Sequence, residues 1–566
     1  MPDIANPEVE PTFSTLVELF RWRGRNQSHE RALVFLEDGE GETQVLTYGD
    51  LDRRARAVAA YLQAHGATGN RVLLLHPSGA EFITSFLGCL YARAVAVPAY
   101  PPRQNRNMQR LQGMVKNAEP VLALTDSHVL ERMHTPWQAC AEAPLPWVAA
   151  DLLGDELAGQ WLEPSVQADT LAFLQYTSGS TTEPKGVMVS HGNILANLRM
   201  VAAVSASVPH APIVTWLPLF HDMGLLGAVL QSFYMGTFCV LMPPEAFFLK
   251  PVRWLRAISR YGARITGAPN FAYDLCVRKV DASQKAELDL RHLEMAFNAA
   301  EPVRPLTLQK FVEAFASCGA RPGQLYPCYG LAECTLFVTG GSAGRIPVTT
   351  SHPELGGERQ LAGCGKTWLD GKILIVDPQT RQPCEERVTG EIWVSGSNVT
   401  QGYWNNPEAT EETFKAMTAD TREGPFLRTG DLGFVQGDEL FLVGRLKDVI
   451  IIGAQNHHAC DLELTTEQCH ALIRPNCSAA FAVDTGLGER LVVATELEKP
   501  KDGSHADFPG IAQAIRRDVA EQHGVAVSTV LLLRPGAIPK TTSGKVQRHA
   551  CRTAYLTRTL QPLAES

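Results

Sequence analysis

The run from Arg71 to Val97 constrains this chain more than any other. Arg71 to Leu75 is short, apolar and β-prone, Gly79 to Tyr91 has the length and pattern of a helix, and Ala94 to Val97 is strand-like again. Strand, helix and strand at this spacing form the parallel crossover unit, which predicts a sheet covered on both faces. Further strands are expected at Val121 to Thr125, Leu171 to Tyr176, Val214 to Leu217, from Ile265 onward and at Leu325 to Tyr329. Helices are expected after the Thr47 cap, with Asp50 in the first turn, and over Gly192 to Val204 and Phe248 to Tyr261. From Lys372 the pattern turns to β, with short strands at Lys372 to Val376, Gly390 to Val394 and Glu439 to Val443. After Arg445 to Asp448 a compact α+β unit follows: strand Val449 to Ile452, helix Asp461 to Ile473, strands Ser478 to Val483 and Leu491 to Leu497, helix Phe508 to Gln522, strand Thr529 to Leu533. The division predicted is therefore residues 1–446 and residues 447–566.

At 566 residues the chain exceeds one compact core, in keeping with that division. A net charge of −9 and the lack of a long Lys/Arg stripe argue against nucleic acid as a partner. Thirteen cysteines, an odd number without paired spacing, fit a reducing cytoplasm better than a disulfide framework. Met1 to Thr12 is acidic and lacks the apolar core of a signal peptide. The most apolar stretch, Ile213 to Phe233, carries Pro218 and His221-Asp222 near its centre, which a membrane span would bear only at high cost. It reads instead as buried chain entering a site.

One loop stands out chemically. Thr177, Ser178, Gly179, Ser180, Thr181 and Thr182 lead into Pro184-Lys185-Gly186, between an apolar segment and a β-rich one. Hydroxyl groups and open backbone N–H groups beside a lysine suit a polyanion such as nucleotide phosphates. It is not a Walker loop, because Pro184 and Gly186 flank Lys185 where that motif needs Gly before and Ser/Thr after. By itself it can still be read as a polar surface turn, the lesser of the two readings.

Five separated motifs decide between these readings: Tyr176-Thr-Ser-Gly-Ser-Thr-Thr-Glu-Pro-Lys-Gly186, Tyr329-Gly-Leu-Ala-Glu333, Thr429-Gly-Asp431, Gly444-Arg-Leu-Lys-Asp448 and Pro539-Lys-Thr-Thr-Ser-Gly-Lys545. In this order they resemble the adenylate-forming superfamily of acyl-CoA synthetases, luciferases and peptide-synthetase adenylation domains. Ala96-Val-Pro-Ala-Tyr-Pro-Pro-Arg103, Trp216-Leu-Pro-Leu-Phe-His-Asp-Met-Gly-Leu225 and Gly267-Ala-Pro-Asn-Phe-Ala-Tyr-Asp274 are similar to the wording of its fatty acyl-AMP ligases. The resemblance implies an α/β fold: a large N-terminal domain of layered α/β/α sheets with a small β-barrel-like subdomain, then a small mobile α+β C-terminal domain carrying Lys545. It implies ATP and Mg²⁺ as cofactors, a fatty acid as substrate, and an acyl carrier protein with its phosphopantetheine as partner. A cytoplasmic monomer is expected.

The implied first step is attack of a carboxylate on the α-phosphorus of ATP, so two anions must meet and catalysis is mostly positioning and charge cancellation. On that resemblance, Thr177, Ser178, Gly179, Ser180 and Thr181 surround the departing pyrophosphate with Lys185 as a point charge, and Glu333 binds Mg²⁺. Tyr329 and Gly330 lie on one side of adenine, Asn298, Ala299, Ala300 and Glu301 on the other. Asp431 accepts from the ribose hydroxyls, Arg445 adds a ribose or phosphate contact, and Lys545 reaches the reacting carboxylate and α-phosphate. Lys447 matches the hinge. His221 stands at the mouth of an acyl pocket that includes Asp222, Met223, Gly267, Ala268 and Phe271. Taken singly, each of these is as readily a turn, a solvated lysine or a structural histidine. His457-His458-Ala-Cys460 and Cys469-His470 fit no common zinc spacing, and no Gly-x-Ser-x-Gly elbow is present.

Three departures remain. Thr182 stands where Gly is frequent, Gly453 to Cys460 lacks the usual arginine, and Gly340 to Leu361 is shorter than the insertion such ligases carry yet longer than in CoA ligases. An acyl-CoA ligase, an amino-acid-activating domain and a catalytically silent adenylate-binding module stay open as alternatives.

Overall fold

The computed structural model describes residues 12–101, 108–138, 144–176, 184–205, 211–351, 360–452, 455–484, 489–499, 506–541 and 544–566. The Arg71 to Val97 unit forms as expected: Arg71–Leu74 and Val95–Pro98 pair in parallel around the helix Ala80–Tyr91. They sit inside a six-stranded sheet ordered Trp147–Ala149, Leu122–Thr125, Arg71–Leu74, Val95–Pro98, Leu171–Tyr176, Gly186–Ser190. Only the last pair is antiparallel, and residues 177–183, which connect it, lie outside the described residues together with the five phosphate-loop candidates Thr177, Ser178, Gly179, Ser180 and Thr181. A second, eight-stranded sheet is parallel through Met295–Asn298, Ile265–Ala268, Ile213–Thr215 and Cys239–Leu241, with antiparallel strands at its edges.

The helices Tyr48–Ala64 and Ala80–Tyr91 lie between the two sheets and share one core with strands of both. Ala80–Tyr91 is buried along nearly its whole length, and Phe82 and Phe86 each contribute on the order of 2–3 kcal/mol by burial. Gly88 lets the two helices close up: a Cβ there would stand 2.4 Å from Val58 Cγ1. Thr47 and Asp50 cap the first helix reciprocally, as do Ser190 and Asn193 for His191–Val204, each box giving about 1 kcal/mol. Outer helices cover the remaining faces, Met108–Ala118 and Ser127–Gln138 on the first sheet, Val252–Tyr261, Asn270–Lys279 and Pro305–Phe315 on the second. The layered α/β/α reading therefore holds, with the middle helical layer shared.

Three segments differ from the sequence expectation. The helix expected over Phe248 to Tyr261 is two, Pro244–Leu249 and Val252–Tyr261, because Pro251 lacks the N–H a continuous helix needs and starts the second one instead. The helix expected over Asp461 to Ile473 runs Ala459–Gln468, and Ile473 opens a strand to Asp484. The strand expected over Val214 to Leu217 is Ile213–Thr215, ending before Pro218.

The β-rich part is a four-stranded antiparallel sheet, Lys372–Val376, Gly390–Ser395, Leu427–Gln436 and Glu439–Arg445. Residues after Val449 build cores of their own, with Leu462, Val493, Ile515 and Val530 in one and Phe481, Leu531 and Cys551 in another. No helix among the described residues is long and apolar enough to cross a membrane.

Candidate active site

The carboxyl ends of the strands in both sheets open into one cavity of about 1810 Å³, roofed by the C-terminal unit. At one end Tyr329 leaves the strand Leu325–Gly330 and donates its hydroxyl to Asp431 Oδ2 at 2.7 Å, while Arg445 Nε donates to Asp431 Oδ1 at 2.7 Å. A carboxylate has about four lone-pair sites, so Asp431 keeps acceptor capacity for a pair of hydroxyls. The Asp431 anion holds the Arg445 guanidinium firmly ionised.

A residue with no local motif stabilises this corner. Glu391 is buried and accepts from Trp393 Nε1 at 2.9 Å, Arg428 Nε at 3.0 Å and the Gly430 amide at 3.1 Å. It fixes the turn in which Gly430 adopts φ +69° immediately before Asp431.

Glu333 sits on a single turn, Ala332–Cys334, held by Thr400, whose amide and hydroxyl both donate to the Glu333 carbonyl at 3.0 Å. Tyr403 donates its hydroxyl to Glu333 Oε1 at 2.8 Å, and Lys185 Nζ stands 4.8 Å from the centre of the Tyr403 ring. One tyrosine thus carries the lysine over its ring and the carboxylate at its hydroxyl, although the two are far apart in sequence. Among the described residues no cluster of three His, Cys, Asp or Glu could cage a metal. A lone carboxylate with one oxygen left for a cation fits Mg²⁺ that arrives with phosphate oxygens and water.

Ala299, Ala300 and Glu301 line the cavity. Ala300 is held at φ +74°, a strained conformation for a residue with a Cβ, and such strain collects at ligand sites. Glu301 Oε1 accepts from the Phe271 amide at 2.9 Å; burial raises its pKa above the usual range, against the pull of Arg304 and Lys545. Asn298 does not join them: it is fully buried, donates to Asn270 Oδ1 at 2.8 Å and is absent from the cavity wall. Side chains alternate along Met295–Asn298, so Phe297 faces the cavity and Asn298 faces away.

His221 caps the short turn Asp222–Gly224 and its Nδ1 lies 2.6 Å from Asp222 Oδ1. Burial would raise the Asp222 carboxyl, yet His221 and Lys545 outweigh it and hold it below the usual range. Met223 joins them on the wall, while Gly267, Ala268 and Phe271 stand behind it. Gly267 acts indirectly, since a Cβ there would collide with the Phe297 ring at 2.1 Å. Phe271 instead packs under the Lys545 loop, where a Cβ on Gly544 would lie 3.0 Å from its ring.

Lys545 joins the cavity wall from the C-terminal unit. Removal from water and then the nearby Arg445 lower its pKa from the ordinary lysine value, with Asp222, Glu301 and Asp431 pulling the other way. Lys447 lies on an exposed turn, Leu446–Asp448, between the two units. Gln175 was not singled out in the sequence; it is buried at the cavity wall, its Nε2 donates to Phe220 O at 3.0 Å, and its Oε1 has no protein partner among the described residues. An apolar arm leads off between the helix His191–Val204 and the second sheet, lined by Val201, Val204, Met295, Phe297, Leu336 and Phe337.

Comparisons with known proteins agree with this geometry. A family model described as AMP-binding enzyme matches residues 20–404, and one described as the AMP domain of Disco-interacting protein 2-like proteins matches residues 447–565. A medium-chain-fatty-acid acyl-carrier-protein ligase of Moorena producens is 41% identical over 572 residues, covering 97% of this chain and 96% of its own. A long-chain-fatty-acid AMP ligase of Mycobacterium tuberculosis is 36% identical, covering 92% of each chain. The fatty acyl-adenylate ligase of Legionella pneumophila, solved in complex with acyl adenylate and pyrophosphate, has a TM-score of 0.74 at 37% identity, over 98% of this chain and 97% of that one. Fold and site thus define an adenylate-forming ligase that uses ATP. The chain belongs to the AMP-binding enzyme family.

Proposed function

We propose that this ligase activates a fatty acid with ATP to acyl-adenylate and pyrophosphate, and then passes the acyl group to the phosphopantetheine thiol of an acyl carrier protein. One observation carries the reading. Lys545, from one unit, stands in the same cavity as the Tyr329–Asp431–Arg445 corner, the Lys185–Tyr403–Glu333 trio and the apolar arm of the other. The names of the Moorena, Mycobacterium and Legionella relatives support the substrate class, and the first supports the acceptor.

In this reading the ribose hydroxyls donate to Asp431, adenine lies between Tyr329 and the Ala299–Glu301 backbone, and the triphosphate runs toward Lys185. A carboxylate oxygen attacks the α-phosphorus, the bond to the β-phosphate oxygen breaks, and pyrophosphate leaves on the side of Lys185. Lys545 cancels charge where two anions meet, a role worth several orders of magnitude in comparable electrostatic sites. Glu333 would hold Mg²⁺, which supplies further charge neutralisation on the phosphates. His221, oriented by Asp222, gates the apolar arm. Bending at Lys447 withdraws Lys545 so that the thiol sulfur can attack the acyl carbonyl, with AMP leaving and the thiol proton passing to solvent. The free thiols among the described residues favour a cytoplasmic enzyme.

Coenzyme A is the second reading for the acceptor, favoured by the short stretch between Gly340 and the Thr349–Ser351/Gln360–Ala362 hairpin. Purified protein with ATP, Mg²⁺ and fatty acids of graded length should yield acyl-adenylate, and holo-carrier protein should then be acylated far faster than coenzyme A. Equal rates with the two acceptors would overturn the carrier assignment. Lys545→Ala should lower acyl-adenylate formation by about 100-fold or more while ATP still binds; normal turnover by that variant would remove its assigned role.

A further inference from the structure

The strand Ile473–Asp484 loses register against Glu489–Leu497 between Ile473 and Ser478, so residues 474–477 bulge out of their sheet. Within the bulge Asn476 takes φ +58°, a left-handed conformation that asparagine tolerates better than most residues. An ion pair from Arg474 to the buried Glu496 pins the bulge to its own sheet. Pro475 and Asn476 face the cavity between the two units.

Two polar contacts then cross the boundary. Asn476 Nδ2 donates to Asp274 Oδ2 at 3.1 Å, and Asp274 Oδ2 also receives the Thr307 hydroxyl at 3.2 Å. Arg304 NH1 donates to Glu467 Oε2 at 2.9 Å, while Glu467 Oε1 accepts the Cys477 amide at 3.1 Å. Glu467 is only 4% exposed, so this is a charge-assisted contact away from bulk water and not a loose surface pair. Asp274 and Arg304 both line the cavity that Lys545 lines. Arg304 follows Glu301 by three residues on the adenine side. On the other side Lys540 Nζ donates to Asn476 O at 2.7 Å and to Cys477 Sγ at 3.1 Å, and Lys540 bridges to Val546, the residue after Lys545.

We infer that the bulge at residues 474–477 is a clasp that places Lys545 for acyl-adenylate formation, with Asn476 and Glu467 as positioning residues and Asp274 and Arg304 as their receivers. The inference rests on the role proposed above for Lys545. The Lys545 loop is braced within its own unit, the Lys545 amide donating to Thr541 Oγ1 at 3.0 Å and the Thr541 amide to the Lys545 carbonyl at 2.7 Å; the clasp fixes the base of that loop to the segment that borders adenine. Misplacement by an ångström is enough to cost such a group much of its effect. The acceptor step, which needs Lys545 withdrawn, does not use the clasp.

Asn476→Asp keeps a residue that tolerates the left-handed turn but sets two carboxylates against each other across the boundary. In the full-length protein it should lower kcat for pyrophosphate release with ATP and dodecanoic acid about tenfold, with KM for ATP within about twofold. Thioester formation from supplied dodecanoyl-adenylate and phosphopantetheine should be unchanged. Adding Asp274→Asn restores a donor–acceptor pair with the roles exchanged and should bring kcat back to within about twofold of the parent. Normal adenylation by Asn476→Asp, an equal fall in both half-reactions, or no recovery in the double variant would each overturn the clasp. Lys545→Ala separates the two readings: if it adenylates normally, the role of Lys545 fails and the clasp with it. If it is inactive while Asn476→Asp is normal, only the clasp fails.

Discussion

At the scale of single residues, the site is a set of charges whose values are fixed by neighbours and by burial. Asp431 is shared between Tyr329 and Arg445, and Asp222 stays ionised inside the protein because His221 and Lys545 stand beside it. His76 shows the opposite case. It is 1% exposed, neither ring nitrogen has a protein partner among the described residues, and burial pushes its pKa down to about 3. Between that value and about 6.5, the unfolded chain binds a proton that the folded one excludes. Stability contributed at neutral pH is therefore lost progressively as pH falls below about 6.5, by up to roughly 1.4 kcal/mol per pH unit. His76→Leu should raise the apparent melting temperature and flatten its decline between about pH 7.5 and pH 5, compared with the parent. An unaltered slope would mean that the imidazole is satisfied in solution. Several of these residues are legible in the sequence because each sits in a short motif that also fixes its backbone. Tyr329 and Gly330 end a strand, and Asp431 follows a Thr-Gly turn. Asn298 was misplaced because a motif names a segment but not its faces, and strand alternation assigned the cavity to Phe297.

At the scale of elements, the helices and strands were readable where hydrophobic period and capping agreed, as at Tyr48–Ala64 with its Thr47–Asp50 box. They were misread where one residue overrode the period, as Pro251 does between Pro244–Leu249 and Val252–Tyr261. The π-helical turn Leu225–Leu230 had no local signature, yet it shapes the apolar arm. Gly227 lies on this turn and on the cavity wall, and a Cβ there would reach 3.1 Å from Leu336 Cδ2, the tip of a flexible side chain. A small substitution can be absorbed by Leu336, whereas a branched one fills the arm. Gly227→Val should therefore shift the preferred fatty acid toward shorter chains while the KM for ATP stays within about twofold, because no group near the nucleotide moves. Profiles of pyrophosphate release against chain length would show this, and an unchanged profile would place the acyl chain elsewhere.

At the scale of the whole molecule, two bodies with separate cores meet over one cavity. Their covalent link is the exposed turn Leu446–Asp448. Arg548, three residues beyond Lys545, binds Asp448 at 2.7 Å and both oxygens of Glu463 at 2.7 Å, so the turn and the Lys545 loop move as one piece. Lys447→Pro stiffens this link by fixing φ. It should leave acyl-adenylate formation within about threefold of the parent yet slow transfer to the carrier thiol by about tenfold or more. Equal transfer rates in parent and variant would argue that the C-terminal unit does not turn at Lys447.

The sequence by itself determined the class of fold and named the candidate site residues, since strand periodicity, caps and turn motifs are local and carry their own geometry. Only the tertiary structure decided which of those residues share a wall, and it added Tyr403, Glu391, Gln175 and the Asn476 bulge. Those four act through partners distant in the chain: Tyr403 on Glu333, Glu391 on Arg428 and Gly430, Gln175 on Phe220, Asn476 on Asp274. A contact of that kind depends on how sheets and units pack, which no local run of residues encodes.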